Sequence, residues 1–388
     1  MIPLLCTAPW VCLLLFLILV RQTPSELPGA KWNLPGKAPL VSVIVPARDE
    51  LLNIQTCISS LVRSSYPAFE IIVVDDQSTD GTGSLVREMG RGSARSLQVI
   101  DGEQLPDEWL GKPWACWQGA AVAKGDLLLF TDADTVHGSE LLGRAVAGLY
   151  DERADLLTVM GRQLMETFWE RLVQPQIFLP MFLRFPDLER TAKSKQWRGA
   201  VANGQFMLFQ REVYNAIGGH ETVKDEVVED LALAQLIKRQ GFRLRIRAAE
   251  TDLLTRMYRS LAHLIEGWSK NITTGGMQSL PPWTRGFVAP LALAIGIVLW
   301  IMPPVVLIAT ILGSFSDGLL LWSASVCALS AILWIVFTSQ MNAPGLYGLL
   351  YPVGAIVGAY IFLRSWLRGS RVEWKGRFYQ LPPLSDRP

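Results

Sequence analysis

A chain of 388 residues has room for a catalytic domain of about 250 residues and a second region. Lys+Arg 36 against Asp+Glu 35 leaves a net charge of +1, so no global field favours nucleic acid as a partner. Half of the residues are hydrophobic, mean hydropathy is +0.26, and the apolar excess sits at the two ends. Cys6, Cys12, Cys57, Cys116 and Cys327 form no C-x-x-C pair and are odd in number, which argues against a disulfide framework and fits a reducing compartment. His137, His220 and His263 are scattered, which argues against a zinc cluster.

Ile2 to Val20 carries no charge and is long enough to cross a bilayer. No Lys or Arg precedes Arg21 and no A-x-A follows, so a retained anchor (residues 1–21) is expected rather than a cleaved signal peptide. Arg21, Lys31 and Lys37 behind it place the next domain in the cytosol. Residues 22–39, rich in Pro and Gly, read as a linker.

A domain over residues 40–285 follows. Leu40 to Pro46 is a β-branched strand ending at Ala47-Arg48-Asp49-Glu50. Ile54, Cys57, Ile58 and Leu61 have helical spacing, and Tyr66-Pro67 stops that helix. Glu70 to Val74 is a second strand ending at Asp75-Asp76, and Gln77 to Thr82 is a turn. Leu97 to Ile100 reads as the third strand. Strands alternating with helices predict a doubly wound parallel α/β sheet. Pro106 to Gly119 is a Trp-rich loop feeding a helix, where Gly111-Lys112 offers a bare backbone and a cation to a phosphate without P-loop spacing.

Leu127 to Phe130 is a short buried strand that delivers Asp132-Ala133-Asp134 to the crevice where open α/β sheets bind ligands. Mg²⁺ is commonly held by one or two carboxylates plus substrate phosphates, so this pair suits a metal–diphosphate site. Leu156 to Met160 resembles another strand. Phe168 to Leu188 is aromatic and interrupted by Pro175, Pro180 and Pro186, and reads as an interfacial segment or a core cover rather than a spanning helix. Glu226 to Lys238 is an amphipathic helix whose start carries Glu229-Asp230, a position that helix-dipole compensation alone would explain. Arg243, Arg245 and Arg247 alternate along an edge strand, and Arg259 to Asn271 is a helix.

Residues 286–366 hold apolar stretches at Phe287–Leu312, Gly318–Phe337 and Leu346–Leu363, each long enough to span. Pro303-Pro304 breaks the first and predicts a kink or a re-entrant turn. Arg368, Arg371, Lys375 and Arg377 make residues 367–388 a basic cytosolic tail. Three full crossings from a cytosolic domain would put that tail outside, so one stretch is expected not to cross.

VSVIVPARDE, EIIVVDDQSTDGT, LLLFTDADT and EVVEDLA, in this order at strand and helix ends, resemble the motif series of family 2 inverting nucleotide-sugar glycosyltransferases. GKPWACWQG, LIEGWSKNITTG and VEWKGRFYQL extend the resemblance to bacterial membrane glycosyltransferases of terpenoid lipids, the 4,4'-diaponeurosporenoate (carotenoid) and hopanoid-associated type. The Q-x-x-R-W motif of processive members is absent, and EGWSK stands near its place, which favours transfer of a single sugar. The resemblance implies the GT-A fold, a Rossmann-like mixed sheet with helices on both faces, plus transmembrane helices at both ends. It implies a multi-pass enzyme of the plasma membrane with its catalytic domain in the cytosol.

The resemblance also assigns roles. Pro46, Arg48 and Glu50 would line the nucleotide pocket, Asp76 would bind base or ribose, and Lys112 would face phosphate. Asp132 would contact the donor and share with Asp134 a divalent cation, Mg²⁺ or Mn²⁺. Asp230 would be the base, with Glu229 beside it, and Trp268 and Lys270 would lie on the acceptor or diphosphate side. The implied partners are a nucleotide-diphosphate sugar, with UDP as the nucleotide, a lipid acceptor offering a hydroxyl or carboxyl, and the membrane. Glycerolipid and cell-envelope polysaccharide acceptors stay open. A nucleotidyltransferase is a further alternative, although PARDE lacks a Gly- and Arg-rich phosphate loop.

Overall fold

The computed structural model describes residues 7–19, 25–29, 36–313, 316–369 and 371–380. The expectations for Arg21, Lys31 and the chain beyond residue 380 lie outside the described residues.

The strands are β1 (Val41–Ala47), β2 (Phe69–Asp75), β3 (Leu97–Asp101), β4 (Leu127–Phe130), β5 (Thr135–His137), β6 (Leu156–Met160), β7 (Arg162–Gln163), β8 (Met207–Gln210), β9 (Leu244–Ala248) and β10 (Leu253–Thr255). β1, β2 and β4 read as near-continuous apolar runs because both of their faces are covered. The main sheet runs β3-β2-β1-β4-β8-β6-β9. β8 is antiparallel to β4 and β6, and the other pairs are parallel. It is the mixed sheet with helices on both faces that the resemblance implied, and β8 corrects the wholly parallel sheet that the alternation of elements predicted. Val41, Val43 and Val45 pack on one face with the helix Ile54–Leu61. Ile44, Val74 and Leu128 pack on the other with the helix Gly111–Val122. That second helix lies so close that a Cβ at Gly119 would stand 2.5 Å from the Ile44 side chain. β5, β10 and β7 form a small second sheet beneath the site.

The strand order reverses between β1 and β4, which are parallel neighbours. Ligand crevices in open α/β sheets form at such switch points, outside the carboxyl ends of the strands. The segments 48–50 and 132–134 both emerge there.

Among the described residues, three helices are long and apolar enough to cross a membrane: Arg285–Ile311, Asp317–Gln340 and Gly345–Arg368. The chain stays helical through Pro303-Pro304, so no re-entrant turn forms there. A π-helical turn over Ile297–Ile301 accommodates the prolines that follow it. At the other end, the described part of the expected anchor is a helix of 12 residues, Ala8–Leu19, about 18 Å long by its rise and shorter than a hydrocarbon core. It packs into the C-terminal bundle. Trp10 Nε1 donates to the Leu299 carbonyl at 3.1 Å, and Gln340 Nε2 donates to the Leu17 carbonyl at 3.3 Å. The expected linker is partly structured too, because Glu26 bridges to Ala248 at the β9 edge and Leu27 is buried.

Two further stretches take a form that the sequence left open. Phe168–Arg184 is one helix through Pro175 and Pro180, and it is not among the helices long and apolar enough to span. Its start is fixed by a capping box, in which the Thr167 hydroxyl accepts from Glu170 N and the Glu170 carboxylate accepts from Thr167 N. Glu170 is fully buried and pairs with Arg256 at 3.0 Å, so a tertiary ion pair anchors the turn ahead of the prolines. The expected basic tail begins as a β-hairpin, β11 (Arg371–Trp374) and β12 (Arg377–Gln380), docked on the catalytic domain.

Candidate active site

One cavity of about 1780 Å³ connects the carboxyl ends of β1 and β4 to the apolar helices. Single small-molecule sites usually run to about 300–1,000 Å³, so this volume suits two ligands. Its polar end is lined by Pro46, Arg48, Glu50, Lys112, Asp132, Asp134, Glu229, Asp230 and Lys270. Trp268 lines it midway. Phe178, Leu293, Trp300, Trp334 and Phe337 line the apolar end. The structure thus gathers all the sequence-predicted residues but one. Asp76 does not line the cavity; it is 1% exposed and paired with Arg377 at 2.6 Å.

Lys112 projects from the first turn of the helix Gly111–Val122. Its ammonium sits 2.7 Å from Asp132 and 2.7 Å from Glu229. Burial alone would push Lys112 down, yet these two carboxylates hold its pKa well above the usual lysine range. Burial raises Glu229, and the Lys112 charge more than offsets it, leaving that carboxyl below its usual range. Asp132 stays raised, chiefly by burial, with Lys112 opposing.

Asp134 is held by its backbone, whose carbonyl accepts from Arg256 N at 3.3 Å. Its Oδ1 is buried without a hydrogen-bond partner. Burial, then Asp132 and Glu50, push its carboxyl well above the usual range. A buried, unpartnered oxygen among like charges is costly without a cation. Two carboxylates one residue apart are hard oxygen donors, so they fit Mg²⁺ or Mn²⁺, with substrate oxygens completing the shell. Among the described residues no group of three or more His, Cys, Asp or Glu is arranged to hold a metal by itself.

Asp230 begins the helix Glu229–Arg239. Its Oδ2 accepts from Gly204 N at 2.8 Å and its Oδ1 from Leu231 N at 2.7 Å. A Cβ at Gly204 would stand 2.9 Å from that Oδ2, so the close approach needs glycine. Burial, then the neighbouring Glu229, push Asp230 up to about 6. A carboxylate with that pKa can take a proton near neutral pH. Lys270, on the helix Leu261–Gln278, is pushed down to about 8 by burial. Trp268 stands on the same helix, edge-to-face with Phe178 at 5.4 Å.

Sequence reasoning missed Arg256, Glu170, Lys375, Arg377 and Tyr379. Glu170 had a readable signal, because T-x-x-E at Thr167–Glu170 is a capping-box pattern, whereas its partner Arg256 had none. Lys375 and Arg377 belong to a Trp-Lys-Gly-Arg turn, the pattern of a two-residue hairpin, and Tyr379 lies on the strand that follows it.

Residues 42–218 match the model of glycosyl transferase family 2. The chain is 27% identical over 377 residues, 94% of each chain, to the 4,4'-diaponeurosporenoate glycosyltransferase of Staphylococcus aureus. Among solved structures it is similar to the mannosyltransferase PcManGT of Pyrobaculum calidifontis in complex with GDP-Man and Mn²⁺, at TM-score 0.49 and 20% identity over 94% of both chains. It is also similar to S. aureus TarS in complex with UDP-GlcNAc, at TM-score 0.42 and 15% identity over 90% of this chain and 98% of that one.

Proposed function

We propose that the chain, whose residues 42–218 match the model of glycosyl transferase family 2, is a glycosyltransferase of that family and moves one sugar from a nucleotide-diphosphate sugar to the hydroxyl or carboxyl of a lipid at a membrane surface. The observation that carries this reading is the single cavity with carboxylates at one end and bundle-helix rings at the other. A donor and an apolar acceptor can meet there without leaving the interface.

In this reading Pro46, Arg48 and Glu50 hold the nucleotide, and Asp132 and Asp134 hold a divalent cation against the diphosphate. The cation, when bound, acts as a Lewis acid that neutralises charge gathering on the leaving diphosphate. Lys112 keeps Asp132 and Glu229 in place through its two ion pairs. Glu229 serves as that counter-ion, which leaves Asp230 as the base. Asp230 takes the proton of an acceptor hydroxyl as its oxygen attacks the anomeric carbon opposite the diphosphate, giving inversion. Trp268 and Lys270 orient the acceptor head. The 27% identical relative, by its name, acts on a carotenoid-type acid, and the apolar end supports a lipid of that general kind.

The reading includes a topology. The apolar region begins next to the domain and ends in a hairpin docked back onto it, which supports an even number of crossings. Gly345–Arg368 is the helix that does not cross. A Cβ at Gly354 would stand 2.9 Å from the Leu172 carbonyl, and Arg364 and Arg368 pair with Glu266 at 2.8 and 2.6 Å. Both contacts bind it to the catalytic domain.

The test is to extract lipids from a host with and without the protein and to seek a sugar-sized mass shift, with nucleotide-sugar consumption measured in parallel. Consumption that never depends on lipid would overturn the acceptor assignment. A reporter fused after Pro388 should lie on the same side as the catalytic domain, and the opposite side would mean an odd number of crossings.

A further inference from the structure

We propose that the C-terminal hairpin Arg371–Gln380 clamps the nucleoside diphosphate of the donor, with Lys375 supplying a cation to the phosphates and Arg377 latching the hairpin over Asp76. The inference rests on the reading above, since it assumes a nucleotide-diphosphate donor in this cavity.

The tip of the hairpin is a two-residue turn with φ +48° at Lys375 and +76° at Gly376. Positive φ at both positions matches the twist of the flanking strands and holds the tip in one conformation. A lysine at the first of them is locally disfavoured, which points to a use for its side chain. Lys375 Nζ donates to the Asp49 carbonyl at 3.0 Å and pairs with Glu50 at 2.9 Å. Arg48 Nε donates back to the Lys375 carbonyl at 3.2 Å. Arg377 pairs with Asp76 at 2.6 Å and donates to Gln77 Oε1 at 2.9 Å. Gly111 N donates to the Tyr379 hydroxyl at 3.2 Å, next to Lys112.

Lys375, Gly376 and Tyr379 line the cavity, whereas Asp76 is sealed off behind Arg377. The hairpin therefore forms a wall of the donor space rather than filling it. The charge balance asks for such a wall. An anionic diphosphate must enter among Glu50, Asp132, Asp134, Glu229 and Asp230. Lys112 is shared between two of these carboxylates. Lys375 holds one carboxylate at a partly exposed position. Exchange of Glu50 for a phosphate releases Glu50 to accept from a ribose hydroxyl. The last apolar helix, ending at Arg368, leads into the hairpin and grips Glu266 on the helix that carries Trp268 and Lys270. The clamp is thus tied to the acceptor side.

The test uses the full chain in lipid nanodiscs with Mg²⁺ and measures equilibrium binding of UDP and GDP, with uridine and guanosine as phosphate-free controls. Lys375→Ala should weaken diphosphate binding roughly tenfold or more and leave nucleoside binding unchanged. Lys375→Arg, which keeps the charge, should restore most of it. Arg377→Gln should weaken nucleoside and diphosphate alike. Unchanged diphosphate binding in Lys375→Ala would overturn the clamp, and tighter binding would make the hairpin a plug instead. A parent protein that binds neither UDP nor GDP would overturn the donor reading itself.

Discussion

The two ends of the cavity are built on opposite rules. At the polar end carboxylates have positions set by backbone or by another charge: Asp230 by Gly204 N, Asp132 and Glu229 by Lys112. Among these carboxylates the Asp134 Oδ1 is left buried without a partner. At the apolar end rings pack on rings, as Trp300 does on Trp334 at 5.2 Å and Phe182 on Phe337 at 5.5 Å. Among the described residues no ion pair fixes a ligand there. Fixed charge selects by geometry and punishes a misplaced atom, whereas an apolar wall selects by size and tolerates isosteres. On this contrast, substitutions at the polar end should abolish chemistry, and substitutions at the apolar end should only shift preference.

The largest effect expected is at Asp230. As a dipole-compensating acid at a helix start it would be worth roughly 0.3–1 kcal/mol of stability. As the base, its loss should cost about 10²–10⁴-fold in rate. Asp230→Asn keeps the shape, so nucleotide-sugar binding should survive while transfer to a hydroxyl acceptor collapses. Near-parental transfer would place the base elsewhere. The pH profile sharpens the point. The base must be deprotonated to work, and its pKa is about 6. The parent's kcat/KM should therefore be level above that pH and fall below it, and this limb should vanish in the variant.

Asp134→Ala comes next. Removing one group that stabilises the developing charge typically costs about 10²–10³-fold. Its signature is a lost response: Mg²⁺ or Mn²⁺ should strengthen donor binding in the parent and not in the variant. A variant whose donor binding still tightens with metal would sink the assignment.

The contrast also explains what the sequence made legible. The place of Asp132 and Asp134 in the crevice was readable from the buried strand ahead of them, whereas the helix start at Asp230 signalled no more than dipole compensation and only the family resemblance singled that residue out. Burial, pairing and orphaned oxygens are tertiary facts, so the commitment of Glu229 to Lys112 was not readable. Apolar runs and intervening helices pointed to a parallel sheet, and only the family resemblance implied a mixed one, because the antiparallel β8 has no mark in its own residues. Pro175 and Pro180 argued against a spanning helix but could not show that the stretch is helical at all, because proline rules weigh local cost alone, while the Thr167–Glu170 cap and the buried Arg256 pair hold that helix from outside. The basic residues of the tail were read as a topology signal, and that reading hid their pairing with Glu50 and Asp76.

The smallest effect belongs to the apolar end. Ala292 lines the cavity from the helix Arg285–Gly296, near Leu293 and Ile295. It is an exposed position, so a larger side chain there displaces no core packing. Ala292→Phe would fill part of the apolar end with a ring and leave the carboxylates untouched. One methylene more or less in an apolar pocket is worth about 1–3 kcal/mol, or 10–200-fold at the extreme. Loose walls that accommodate the ring should bring the cost to the lower bound. The expected result is an acceptor KM raised about tenfold for a long, rigid lipid, a smaller rise for a short one, and an unchanged donor KM. Chain-length dependence is the decisive readout, because a general loss of folding would lower the apparent kcat for every acceptor and leave each KM unchanged. If the donor KM moved and the acceptor KM did not, the apolar end would not be where the acceptor lies.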